Sequence, residues 1–405
     1  MNNPPTQASA PEPLQILMLA PQPFFQERGT PIAVRMLSEE LASAGNAVDL
    51  LVFHEGEPLD SKGVGLYRTP AIPGLKGIRP GFSFKKLICD GLLFFKSLIL
   101  LRRKKYQVIH AVEEAVFIAF VLQLLFDIPY VYDMDSLLSL QLSDSFPILG
   151  RISGVMEWFE KKVTRRSAGV VAVCKSLEEK AGTFAPEVPV LRLEDVSLLD
   201  GGATCLENIR QEHSLSGSLV MYVGNLERYQ GIDLLLHAFT CLPEQLRQAA
   251  TLVVIGGKPA DITSYRALAD SLGLHDQVLF LGPRPVQHLA CYLRQADILV
   301  SPRTQGNNTP MKIYSYLDSG RPVLATRLAT HTQVLDDQIA QLAEPEPHAF
   351  AQALAELIDN RPLRQRLAQA AQQRVAAEYS REAFRRKVRR FYGDIAVGLS
   401  KERQH

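Results

Sequence analysis

The sequence predicts an α/β chain of two doubly wound, Rossmann-like domains, each a mostly parallel sheet covered by helices on both faces. Three observations predict it. Short apolar runs alternate with longer stretches of helical apolar spacing from end to end. A polar, glycine-bearing stretch, "LLDGGATCLENIRQEHSLSGS", interrupts that alternation at mid-chain, as a linker does. And 405 residues are enough for two domains of ordinary size, each with its own core.

In chain order, the opening "MNNPPTQASAPEP" (1–13) is polar and proline-rich without the apolar run of a signal peptide, and reads as a flexible tail. The first domain (14–199) has strands at "QILMLA", "AVDLLVF", "QVIHAV", "PYVYDM", "AGVVAVC" and "PVLRLE". Between the first two, "TPIAVRMLSEELASAG" keeps helical spacing and stops at Gly45. A linker (200–217) leads to the second domain (218–375), with strands at "SLVMYVG", "ATLVVIGG", "QVLFLG", "DILVSP", "RPVLAT" and "IAQLA". Helices such as "GIDLLLHAFTCL" and "VQHLACYLRQA" separate them. The last stretch (376–405) is an arginine-rich helix whose apolar residues keep helical spacing, so its arginines read as a solvated face. Two such domains would face each other across a cleft, with ligands on the loops beyond the carboxyl ends of the strands.

Composition narrows the class. An apolar fraction of 46% and a charged fraction of 21% belong to a soluble globular protein. A formal charge of +1 makes no electrostatic case for nucleic acid. Cys89, Cys174, Cys205, Cys241 and Cys291 are scattered, without zinc-site spacing, and predict free thiols in a reducing, cytoplasmic compartment. In "KKLICDGLLFFKSLILLRRKKY" (Lys85 to Tyr106), Asp90 and Lys96 interrupt the apolar middle, leaving no uncharged run long enough to span a bilayer. Two readings stay open there: a helix lying on an anionic membrane surface, or a core helix with a solvated basic end.

Three loops carry chemistry-bearing residues. In "APQPFFQERGTPIAV", Gly29 and Thr30 precede a helix, where backbone can approach a ligand closely. In "MYVGNLERYQGIDLLL", Gly224 ends a strand and Gly231 starts a helix, with Asn225, Arg228 and Gln230 between them. In "DILVSPRTQGNNTPMKIYSYLDSG", Arg303 leaves a strand, Asn307 and Asn308 occupy the loop, and Thr309–Pro310 suit a helix entry. Met311 and Lys312 fall in the first turn, and the helix N–H groups with Arg303 and Lys312 would suit a diphosphate. Each loop also admits a plain conformational reading as a βα turn.

The order GT(P)…HxxE…VGNLxxxxGIDLLLxAF…SPR…NTPxKIYxYLxSGRPVLAT resembles the retaining glycosyltransferases of family 4, which have the GT-B fold. The likeness runs from about Leu14 to Tyr392. It implies a nucleotide-diphosphate sugar bound by the C-terminal domain and a glycan, lipid-linked or small-molecule acceptor bound by the N-terminal one. It also implies a final helix that crosses back, retention of configuration, and neither metal nor cofactor. Gly29 and Thr30 fall on the family's glycine-rich loop near the donor phosphate. Asn225 and Gln230 stand where the family usually has Arg and Lys, and Arg228 could restore part of that charge. Asn307 and Ser315 stand where it has paired glutamates, contacting the donor sugar and the ribose. His110 and Glu113 match a histidine and glutamate after a strand, and Asp135 aligns with a histidine lining the reaction centre. The resemblance thus gives Asp135, His110, Glu113 and Asn307 as reaction-centre residues. "DMD" (Asp133, Asp135) could hold a metal only if both carboxylates stayed on one strand face; a chain that turns there separates them. Two other readings remain open: a sugar-nucleotide epimerase of the same fold, or a non-catalytic scaffold that lost the carboxylates.

Overall fold

The computed structural model describes residues 13–26, 29–58, 63–78, 83–137, 153–199 and 207–402. Residues 1–12 of the expected tail and 200–206 of the expected linker lie outside the described residues.

The chain divides into two compact units, residues 1–194 with 385–405, and residues 195–384. In the first, β1 (Gln15–Ala20), β2 (Ala47–Val52), β3 (Val64–Arg68), β4 (Val108–Val112), β5 (Tyr130–Met134), β6 (Gly169–Ala172) and β7 (Val190–Arg192) form one sheet. Its order is β3-β2-β1-β4-β5-β6-β7, with every pair parallel. Strands buried on both faces explain the unbroken apolar runs, and β4 and β5 are buried at every residue. Only β3 escaped the sequence reading. It is a half-buried edge strand with Gly65 at its second position, and a Cβ there would lie 2.5 Å from Asp49 Oδ1.

In the second unit, β8 (Ser218–Val223), β9 (Ala250–Ile255), β10 (Val278–Gly282), β11 (Ile298–Ser301), β12 (Val323–Thr326) and β13 (Gln341–Ala343) follow the order β10-β9-β8-β11-β12-β13, again all parallel. Two apolar clusters cover this sheet. One includes Val220, Leu252, Val300 and Phe350, the other Leu219, Val253, Leu299 and Tyr316.

The helix Arg381–Glu402 carries the chain back to the first unit. Gly169 of β6 makes room for it, since a Cβ there would lie 2.6 Å from Phe391 and 3.1 Å from Ile395. Arg385 and Arg389 pair with Glu40 at 3.2 and 2.9 Å, and Lys387 with Glu194 at 2.5 Å. Part of the expected solvated basic face is therefore spent on docking.

The helix Phe84–Arg103 packs into the core along one face and bares apolar side chains along another. Cys89, Leu93, Ser97 and Leu100 are buried, while Phe84, Leu87, Ile88, Phe95 and Ile99 are exposed. Among the described residues no helix is long and apolar enough to cross a membrane. Cys89, Cys174 and Cys241 are not in disulfides, but Cys291 is disulfide-bonded, which corrects the expectation of free thiols throughout. Spacing along the chain does not tell which sulfurs folding brings together.

Candidate functional site

In the second unit the chain goes from β8 outward to β9 and β10, then returns to place β11 on the other side of β8. The loops after β8 and β11 part at this switch point, where doubly wound sheets bind ligands. They are the two loops singled out from the sequence. Gly231 fixes how closely they meet: its φ is +74°, and a Cβ there would lie 1.9 Å from Pro302 O. The Thr304 N–H donates to Tyr229 O at 2.9 Å across the same contact.

Lys312 lies at the centre of this contact. Its Nζ donates to Gln230 Oε1 at 2.8 Å and to Tyr222 OH at 2.9 Å, and sits 4.0 Å from the centroid of the Tyr222 ring. The Tyr222 hydroxyl donates to Asn225 O at 2.6 Å. Burial, then the charge of Arg303, pulls the Lys312 amine well below its ordinary value. The Arg303 guanidinium is lowered by burial too, and lies 4.9 Å over the Tyr229 ring. Among the described residues neither cation forms a salt bridge. Two desolvated cations without an acid store an unfavourable charge that an anion would relieve. Asn225 and Arg228 are exposed beside them, and Gln230 is buried.

Carbonyls of the β11 loop are held from below. Thr326 Oγ1 donates to Arg303 O, Gln333 Nε2 to Asn307 O, and Thr330 Oγ1 to Asn308 O, each at 2.6 Å. Arg303 itself donates to Gln305 O at 2.7 Å and Asn308 O at 3.1 Å. Beneath lies His331, whose Nδ1 donates to Thr326 O at 2.9 Å and whose Nε2 accepts from Ser301 Oγ at 2.9 Å. Burial holds this ring neutral, with its value lowered to about 3. The sequence reading missed Thr326, Thr330, His331 and Gln333; the only signal was the small polar run "LATHTQ" after a strand.

The helix expected from Thr309–Pro310 begins at Lys312 and ends at Asp318. Pro310 precedes it in a turn, its carbonyl accepting from Ile313 N at 2.9 Å. Met311 is the half-buried cap, and Thr309 is buried with its hydroxyl oxygen unpaired. Asn307 is exposed and Asn308 half-buried. Ser315 is fully buried, and its Oγ accepts from Leu198 N at 3.0 Å. Where a ribose contact was expected, this short side chain lies on the inner helix face and meets the backbone.

In the first unit the switch point lies between β1 and β4. Gly29 and Thr30 open the helix Gly29–Ser43, exposed and half-buried respectively. His110 sits inside β4, fully buried. Its Nε2–H donates to Asp133 Oδ2 at 2.9 Å, and its Nδ1 accepts from the Tyr392 hydroxyl at 2.6 Å. Both ring nitrogens are thus occupied, and through Tyr392 His110 ties β4 to the C-terminal helix. Glu113, just past β4, has φ +49° and a carboxyl raised to about 7 by burial and by Glu114, against the opposing Lys86. Asp133 lies inside β5 and Asp135 just past its end, so the two carboxylates of "DMD" belong to different local structures. Among the described residues no group of three His, Cys, Asp or Glu is placed to hold a metal ion.

Residues 207–374 match the family described as glycosyl transferases group 1, and residues 28–193 the glycosyl transferase 4-like domain. A D-inositol 3-phosphate glycosyltransferase from Corynebacterium diphtheriae is 30% identical over 189 residues, 45% of this chain. The chain spans under half of that relative's length, at 44%. Sucrose-phosphate synthase from Thermosynechococcus elongatus shares the fold with a TM-score of 0.77 at 20% identity, over 95% of this chain and 100% of its own. Anabaena HepE in complex with UDP does so at 0.72 and 15% identity, over 94% and 100%, and a HepE complex with UDP-glucose is also known. These likenesses establish the fold as GT-B. With both parallel-sheet units matched in sequence, the chain belongs to the family-4-type glycosyltransferases.

Proposed function

We propose that the chain transfers a sugar from a nucleotide-diphosphate donor to a hydroxyl of a glycan, lipid-linked or small-molecule acceptor, with retention of configuration. The observation that carries this reading is the pair of half-buried basic side chains without an acid partner, Lys312 and Arg303, at the switch point of the second sheet. A diphosphate placed there gains charge-assisted hydrogen bonds and returns the counter-charge that these cations lack. Around it, Gly224, Asn225, Arg228, Gln230 and Gly231 supply the β8 loop, and Asn307, Asn308, Thr309 and Met311 the β11 loop. Preorganised cations stabilise the departing phosphate, the chief catalytic term in this reading. The protein's own positive charge makes a metal ion unnecessary for that step.

The first unit binds the acceptor in this reading, through Gly29, Thr30, Glu113 and Asp135 at the carboxyl ends of β1, β4 and β5. Glu113, with its carboxyl near 7, is suited to accept the acceptor's proton at neutral pH. The setting is the cytoplasm, with peripheral contact to the inner membrane face through the helix Phe84–Arg103. HepE, whose structures hold UDP and UDP-glucose, makes a uridine nucleotide the first donor to try.

The test titrates UDP, GDP, ADP and dTDP against thermal stability, then follows a nucleotide-sugar panel with mass detection of products. One nucleotide should raise the melting temperature. A folded protein that answers to none of them would point instead to a scaffold, in keeping with Asn307 and Ser315 where the family has glutamates. An epimerised sugar nucleotide without acceptor would point to an epimerase.

A further inference from the structure

The exposed apolar surface of the first unit is concentrated on three neighbouring helices, Phe84–Arg103, Ala115–Phe126 and Ser153–Arg166. Among the described residues, every exposed large apolar side chain except Ile72 and Val397 lies on them. At about 100° per residue, Phe84, Ile88, Phe95 and Ile99 form one stripe of the first helix, opposite its buried stripe of Cys89, Leu93 and Leu100. The other two helices repeat the pattern. Val121, Leu124 and Leu125 are exposed at i, i+3, i+4, the leucines at 61%; so are Val155, Trp158 and Phe159, with Trp158 at 56%. Lys86 pairs with Glu114, and Gln123 Nε2 donates to Arg166 O at 3.2 Å, so the three helices are tied side by side.

Charge decides what such a surface meets. Residues 84–105 hold seven basic side chains and one acidic, in a chain whose formal net charge is only +1. Lys85, Lys96 and Arg103 run along one flank of the exposed stripe of that helix. The helix Ser153–Arg166 adds Lys161, Lys162, Arg165 and Arg166 against Glu157 and Glu160. Lys162 Nζ lies 5.2 Å from the Trp158 ring and 5.7 Å from the Phe120 ring, which places a cation among the apolar side chains. A protein partner would meet a strong excess of one sign around exposed aromatic and leucine side chains. An anionic lipid surface accepts both features, taking the rings and leucines at the headgroup boundary and the amines at the phosphates.

We propose that these three helices together form a docking face for anionic phospholipid, with Trp158, Phe159, Leu124, Leu125, Phe84 and Phe95 entering the interface. The proposal rests on the peripheral contact through Phe84–Arg103 given above and widens it to two further helices; it does not rest on the donor reading. Trp158 is the sole tryptophan of the chain and lies within the face, so its fluorescence reports contact directly. Full-length protein is mixed with vesicles of phosphatidylcholine and phosphatidylglycerol, or of phosphatidylcholine alone, and followed by emission and co-sedimentation. The expected result is a blue shift and pelleting with the anionic vesicles only, reversed by high salt. Lys85→Glu with Lys96→Glu should weaken binding about fivefold or more per charge. Leu124→Ser with Leu125→Ser, on the middle helix, should weaken it about tenfold or more. Normal binding by the leucine variant, with loss in the lysine variant, would overturn the three-helix face and leave the single-helix contact standing. No vesicle binding would overturn both, as would a blue shift that depends on protein concentration without lipid, which marks a second copy on this face. The nucleotide-induced thermal shift in the same variants stays that of the wild type, separating this outcome from the donor reading.

Discussion

Replacing Lys312 by methionine tests the candidate site with two readouts of opposite sign. The ammonium makes two hydrogen bonds to uncharged oxygens, Gln230 Oε1 and Tyr222 OH, and its amine is held well below the ordinary value near 10.5. The free protein therefore carries a desolvation cost at Lys312 that an apolar chain of similar length removes. Gln230 Oε1 lies 3.2 Å from the Tyr222 hydroxyl, whose one proton can turn to it from Asn225 O. Lys312→Met should accordingly leave the melting temperature of the free protein unchanged or raise it. Nucleotide binding should suffer the loss of one charge-assisted contact, about 1.5–3 kcal/mol, or roughly 10- to 150-fold in Kd. Protons give a second check. A depressed amine binds fewer protons folded than unfolded, so its contribution to stability rises with pH from the depressed value up to about 10.5. A bound diphosphate raises the amine again, so nucleotide binding in that window should take up a proton. Calorimetry in buffers of different ionisation enthalpy measures this uptake. If the methionine variant binds nucleotide as tightly as the wild type, or no proton is taken up, Lys312 does not face the diphosphate and the reasoning fails.

Further outcomes follow from the same structure. Asp90 and Glu113 are both raised to about 7, so the folded state keeps protons that the unfolded state releases above about 4. Stability from these two groups is lost as pH rises from about 4 to 7, and an Asp90→Asn, Glu113→Gln variant should flatten that slope in denaturant titrations. Tyr392→Phe strips the buried His110 Nδ1 of its donor and should cost about 1–3 kcal/mol in urea unfolding; an unchanged midpoint would show this tie to be slack. Gly231→Ala must meet Pro302 O and hold a positive φ, so it should cost at least about 1–2 kcal/mol and abolish the nucleotide-induced thermal shift.

Most of the fold was legible because parallel strands buried on both faces are written as unbroken apolar runs, as in "QILMLA" and "ATLVVIGG". β3 was not, since a glycine-bearing edge strand has too little apolar side chain to announce itself. The loops at the switch points were legible through Gly231, Arg303 and Lys312, residue types with narrow structural uses. What those residues touch was not. Nothing near His110 in sequence points to Tyr392, which is 282 positions away, nor from Ser315 to the Leu198 N–H. The start of the short helix slid from Thr309 to Lys312 because proline is equally at home in the turn before a helix. The aromatic exposure of Trp158 and the leucines of the neighbouring helix stayed hidden for a related reason. Helical spacing shows that apolar residues share a face, but only packing decides whether that face is covered.

The first unit takes its last piece, residues 385–405, only after the whole of residues 195–384 has been made. During synthesis, the surface around Gly169 and the Nδ1 of His110 must therefore wait uncovered until residues 385–405 leave the ribosome. Ribosome-bound chains ending before Phe391 would hold a finished second unit beside an open first one. A premature stop in the last helix should thus disable the half of the protein that was translated first.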